Sequence, residues 1–380
     1  MEETVFDDLR PFRDEEIPAA LDRIVSNPHF RALAAYLYPT QSVEYLQQEF
    51  RKIESVRQFQ LQVMDSAIKA IVKKTTTGFT CSGLERLSPD KSYLFVSNHR
   101  DIFLDSALLQ IALVAQGLQT SEITFGSNLM QDDFIVDIGK CNKMFKVIRG
   151  GNPRDFYRNS VHLSRYIRYT LLHKRESIWI AQRNGRTKDG HDATDQGLIK
   201  MFALSGESDI VENLLQLNIV PIAVSYQYET CDNLKARELY LSRECKYLKA
   251  PGEDMHSIMA GITEPKGGVH FEITPPLEYK ELRQLNSGEK NEVVQGVARL
   301  IDKRIYKGYK LWNTNYIAYD MLNNTFDYTD QYTVQEYRDF AARMHRRLEC
   351  FEGDHVDLMN IFLKIYANPV QNREITKEAK

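Results

Sequence analysis

Two periods of apolar spacing divide the chain. From residue 1 to about 78, apolar positions recur at helical intervals. The clearest stretch is 41-QSVEYLQQEFRKIESVRQFQLQVMDSAIKAIVKK-74, which has no internal Gly or Pro. Pro39 and the Thr75-Thr76-Thr77-Gly78 run punctuate it. From Phe79 to about Lys310 the pattern changes to short apolar runs at 93–97, 123–125, 146–148, 177–181, 219–226 and 269–274. These predict buried strands. Helix-period segments lie between most of them, at 106–116, 132–144, 153–173 and 196–205. Alternation of this kind predicts an α/β fold, with a mostly parallel central sheet flanked by helices. Beyond Trp312 the helical period returns at 334–350 and 354–367, and the polar tail from Asn368 is expected to fray. The pattern therefore predicts a helical N-terminal region (1–78), an α/β domain (79–310) and a helical C-terminal region (311–380).

Composition narrows the class of protein. The chain has 380 residues, 43% hydrophobic and 27% charged, which is ample material for a core. A formal net charge of −3 supplies no basic field for nucleic acid, so no nucleic-acid partner is expected. The start, MEETVFDDLRPFRDEE, is acidic and lacks an apolar stretch, unlike a secretory signal. No apolar run is long enough to span a bilayer as a helix. A cytoplasmic protein is expected, with any membrane contact peripheral, on the cytoplasmic face. The five cysteines, Cys81, Cys141, Cys231, Cys245 and Cys350, include no C-x-x-C pair and are expected to be reduced. The nine histidines form no H-E-x-x-H pair, and neither a metal nor a cofactor is expected.

The stretch 97-SNHRDIFLD-105 places a histidine, an arginine and two aspartates between apolar runs. A kinase catalytic loop, H-R-D-x-x-x-x-N, requires an asparagine where this chain has Ser106. No D-F-G, Gly-rich phosphate loop or V-A-I-K lysine accompanies it, so the kinase reading is rejected. Acyl transfer from a thioester to a hydroxyl suits the residues better. It needs a base with a pKa near neutrality, which histidine supplies. It also needs a carboxylate on the other ring nitrogen to fix the tautomer. No G-x-S-x-G nucleophile is present, so direct attack by the acceptor hydroxyl is expected, without an acyl-enzyme.

Four stretches, in order, resemble the motif blocks of the glycerophospholipid acyltransferase family (glycerol-3-phosphate and 1-acylglycerol-3-phosphate acyltransferases). Asn98 to Asp105 is similar to N-H-x-x-x-x-D, and Met144-Phe145-Lys146-Val147-Ile148-Arg149 to F-x-x-R. Ile178 to Thr187 is similar to a strand ending in E-G-x-R-S, and Ile219 to Tyr226 to a V-P-V/I strand. The resemblance covers about residues 80–280. It implies an O-acyltransferase of phospholipid synthesis, with acyl-CoA or acyl carrier protein as donor partner and a lipid or glycerol-phosphate acceptor. It implies His99 as base and Asp105 as its partner, and acceptor binding by Arg149 and Arg186 with Lys146, Asn184 and Gly185 nearby. Arginine's fork suits phosphate. The chain departs from the pattern twice. His99 and Asp105 are spaced H-x5-D instead of H-x4-D, and Asn184 replaces the family's glutamate. The departures keep two alternatives in view: another acceptor, such as an amino-acid lipid, or a non-catalytic lipid-binding or scaffold member. On a continuous helix His99 and Asp105 would not share a face, so His99 is expected in the turn before the helix. Asp105 is then the expected orienter. Asp101, its competitor, stands where an N-cap is wanted.

Overall fold

A computed structural model describes residues 3–130, 132–148, 150–285 and 289–378. Among them, seven strands form one sheet: β1 (Thr76–Ser82), β2 (Leu94–Ser97), β3 (Glu122–Gly126), β4 (Met144–Val147), β5 (Ile178–Ala181), β6 (Ile219–Tyr226) and β7 (Gly267–Ile273). Their order is β1-β7-β6-β2-β5-β3-β4. Neighbours pair in parallel except β6 and β7. The fold is α/β with a mostly parallel sheet. Both faces of the central strands are covered, which is why β2, β5 and β6 read as continuous apolar runs without alternation.

One face carries Phe95, Trp179, Ile123, Val220 and Ile222. The N-terminal helices and the Leu104–Ala115 helix pack on it. The other face carries Leu94, Val96, Ile178, Ile180 and Phe145, beneath the Pro153–Tyr169, Gln196–Ala203 and Lys290–Gly308 helices. A third core lies among the C-terminal helices Asn313–Asn323, Val334–Leu348 and His355–Glu378.

Several elements differ from the sequence expectation, among them the strand expected at 146–148, which runs over Met144–Val147. The helical pattern over 41–74 is divided into Val43–Phe50, Val56–Gln58, a π-helical stretch Phe59–Met64, and Asp65–Thr75. Serines, not Gly or Pro, mark the start of the first helix and the break after Phe50. Ser42 Oγ accepts from Tyr45 N–H and Ser55 Oγ from Gln58 N–H, each at 3.2 Å, so each starts a new helix. The Thr75–Gly78 punctuation is where β1 begins, and residue 78 lies inside that strand. The segment 132–144 is helical only over Asp133–Cys141, and Met144 already belongs to β4.

The tail from Asn368 does not fray, which corrects that expectation. The last helix runs through Pro369 to Glu378, burying Val370 and Asn372. Proline has no N–H to offer the Ile365 carbonyl four residues back. Gly190 packs against that carbonyl: a Cβ at Gly190 would lie 2.3 Å from Ile365 O. The tail's polar residues hold the same loop. Asn368 Nδ2 donates to Asp189 O (2.7 Å), and Asn372 Oδ1 lies 2.9 Å from His191 Nδ1.

Candidate active site

β2, β5, β3 and β4 all end on one edge of the sheet, where open α/β sheets bind ligands. His99 follows β2 there, in the turn before the Leu104–Ala115 helix. Its Nδ1 lies 2.8 Å from Asp105 Oδ2. Asp105 stands in the first turn of that helix, fully buried, and reaches back. The same Oδ2 accepts from the backbone N–H of Arg100 (2.6 Å) and Asp101 (3.0 Å), and Oδ1 accepts from Tyr226 O–H (2.7 Å). With donors on every side the carboxylate acts as acceptor, so the ring proton belongs on Nδ1 and Nε2 keeps its lone pair. The His99 side chain is 13% exposed. Its ring meets Trp179 edge-on at 5.5 Å between centroids. Trp179 is held in turn by its Nε1–H bond to Ser97 Oγ (3.0 Å).

Asp101 plays the other part. Its Oδ1 accepts from Phe103 N–H (2.9 Å) and Leu104 N–H (2.7 Å), as a cap does. Gly261 sits against it, since a Cβ there would lie 2.5 Å from Asp101 Oδ2.

Sequence reasoning missed what holds the turn. Asn98 completes the ladder past the end of β2: its Nδ2 donates to Val224 O (2.9 Å) and its Oδ1 accepts from Val224 N–H (2.7 Å). Arg100 points into the protein and is fully buried. It pairs with Asp192 and, at 3.0 Å, with Glu229, which Lys235 also reaches at 2.8 Å. Burial opposes the Arg100 charge, yet Asp192 and Glu229 outweigh it and raise its pKa. Asp192 also accepts from Asn98 Nδ2 (3.1 Å) and Thr187 Oγ1 (2.7 Å). Thr187 N–H donates to His99 O (2.8 Å), tying the loop after β5 to the histidine's backbone. Tyr226, quoted within the β6 motif block, was assigned no part in the site, and its hydroxyl is a partner of Asp105. Burial, ahead of the neighbouring Asp105 charge, raises that hydroxyl's pKa well above the usual tyrosine range. An Asn-His pair after an apolar run was the available signal for Asn98. Nothing local in the sequence marks Arg100 as buried.

The expected acceptor-binding residues are placed unevenly. Arg186 adjoins Thr187 on the β5 loop and lies against the buried Cys231 thiol. Arg186 Nη1 is buried without an oxygen or nitrogen partner among the described residues. Asn184 and Gly185 share this loop, Asn184 exposed and Gly185 at φ +80°. Lys146 is on β4, three strands from β2 and so about 14 Å across the sheet. Arg149 lies outside the described residues.

No family model matches the chain, and no curated protein does. Seven solved chains match. One is the 1-acyl-sn-glycerophosphate (LPA) acyltransferase PlsC from Thermotoga maritima, with 12% identity and a TM-score of 0.38, covering 77% of this chain and 97% of that one. Among the described residues, no helix is long and apolar enough to cross a membrane.

Proposed function

We propose that the chain is an O-acyltransferase that moves a fatty acyl group from an acyl-CoA or acyl carrier protein thioester to the hydroxyl of a glycerol-phosphate type acceptor. One observation carries the reading: the imidazole of His99, 13% exposed, has Nδ1 on a buried, fully bonded Asp105 and Nε2 unbonded among the described residues, at the edge where open α/β sheets bind ligands. In this mechanism Nε2 takes the acceptor hydroxyl proton as that oxygen attacks the thioester carbonyl. The tetrahedral adduct then expels the thiolate, which recovers the proton from His99. An ester C–O bond forms, a C–S bond breaks, and His99 ends neutral. Asp105 stabilises the imidazolium between the two transfers. Arg186, with an unpaired buried nitrogen on the same loop system, is the residue proposed to bind the acceptor phosphate.

The test is a transfer assay with labelled acyl-CoA and acyl carrier protein donors against glycerol 3-phosphate, 1-acylglycerol 3-phosphate and hydroxyl acceptors without phosphate. Transfer to a phosphate acceptor is expected. Transfer only to acceptors lacking phosphate would redirect the proposal to another lipid, and no transfer with any pair would favour a non-catalytic lipid-binding role.

A further inference from the structure

We propose that the first two turns of the Pro153–Tyr169 helix dock the protein on an anionic lipid surface, with Phe156 and Tyr157 entering the interface. The helix starts at the edge of the sheet on which β4 ends, the same edge that carries His99. Its C-terminal half is anchored in the core by Tyr166 and Ile167. Nothing over 153–160 is buried. Phe156 and Tyr157 are 59% and 62% exposed. Single exposed apolar residues are ordinary, but two adjacent aromatics, both mostly in water and beside a candidate site, need a reason.

Charge identifies the occupant. The described residues of 146–158 carry three bases, Lys146, Arg154 and Arg158, and one acid, a local net charge of +2 in a chain whose net charge is −3. The acid, Asp155, is already paired with Arg158 at 3.2 Å and bonded to Asn152. Bases flanking exposed aromatics are the composition of an interfacial anchor: rings settle at the headgroup level and the bases meet anionic phosphates. A second exposed apolar group lies on this edge, at the start of the Glu253–Thr263 helix, where Asp254 Oδ2 accepts from Asn128 Nδ2 (3.1 Å) just past the end of β3. The Glu253–Thr263 helix packs Gly261 against Asp101 and turns Met255 and Met259 outward, with Leu248 79% exposed on the preceding segment. Exposed apolar points on two separate elements of one edge fit a flat, extended partner better than a single docked helix.

The inference stands on these exposures and charges and does not require acyl transfer. The test is co-sedimentation of the full chain with phosphatidylcholine vesicles, with and without phosphatidylglycerol. The wild type should bind the anionic vesicles and lose most binding in high salt. The double variant Phe156→Ser/Tyr157→Ser and the double variant Arg154→Glu/Arg158→Glu should each bind on the order of tenfold less, with thermal melts like wild type. His99→Ala should bind like wild type, which separates docking from catalysis. Equal binding by the wild type and both double variants, or none by the wild type, would overturn the proposal. So would arginine-dependent binding of an acidic carrier protein by a chain that ignores vesicles, which would make this a protein-docking surface.

Discussion

An amide at position 105 would turn an NH2 group towards donors that now point at a carboxylate. Asp105 meets His99 Nδ1, two backbone N–H groups and the Tyr226 hydroxyl, and an asparagine can accept from only part of that set. Asp105→Asn is therefore expected to lose about 100-fold or more in turnover through the wrong histidine tautomer. It should also cost roughly 1–3 kcal/mol in stability, because buried donors lose their acceptor. Asp101→Ala removes two bonds to helix-start N–H groups and should cost about 0.5–2 kcal/mol with turnover largely kept. Initial rates and thermal melts of both variants decide it: an inactive Asp101→Ala beside an active Asp105→Asn would reverse the roles. Arg186→Ala should raise KM for phosphate acceptors about 10-fold to 100-fold, the loss of one charge-assisted contact, and leave other acceptors little changed. An equal effect on both would mean that Arg186 does not bind phosphate. The pairing of His99 with Asp105 was legible because turn and first helical residues are neighbours in the chain. Arg100 was not. Its partners Glu229 and Asp192 come from 129 and 92 residues away, so nothing near it in the chain marks it as buried.

At the scale of elements, the strands were legible where both faces are buried, and β6 was found with its observed ends. β1 was not, because Thr76, Thr77 and Gly78 have the composition of a turn. As an edge strand with partly exposed residues, β1 lacks the apolar run that marked the others. The last helix was cut short for a similar reason. Asn368 and Asn372 look like a solvated tail, yet they hydrogen-bond the 189–191 loop, which leads into Asp192 and so to Arg100 beneath His99. This gives the C-terminal helix a measurable part in the site. Asn368→Ala with Asn372→Ala removes three bonds and should cost about 1.5–4.5 kcal/mol in total, at about 0.5–1.5 kcal/mol per bond. It should also speed hydrogen exchange in the loop that follows β5. An unchanged melting temperature and unchanged exchange would show that the tail does not support the loop.

For the whole molecule, stability should depend on a carboxyl far from His99 in sequence. Asp302, on the Lys290–Gly308 helix, accepts from both Thr194 N–H (2.8 Å) and Thr194 Oγ1 (2.5 Å). Burial raises its pKa from 3.8 to about 6, outweighing those bonds. A raised carboxyl pKa means that the folded state holds the proton longer than the unfolded chain. Stability from this group therefore falls as pH rises from about 4 to about 6, and stays lower above that. Asp302→Asn keeps an acceptor oxygen for Thr194 and removes the charge. Relative to wild type it should gain roughly 1–3 kcal/mol between pH 4 and pH 7 by urea unfolding. The same difference at both pH values would contradict the assignment. The proposed acyl transfer rests on one imidazole, held by one buried carboxylate at the edge of this sheet. Its most direct test is the single-turnover transfer rate of His99→Ala against wild type, with the fold checked by circular dichroism and melting. A loss on the order of 100-fold or more is expected, with the fold retained. A folded His99→Ala variant that transfers at close to the wild-type rate would contradict it.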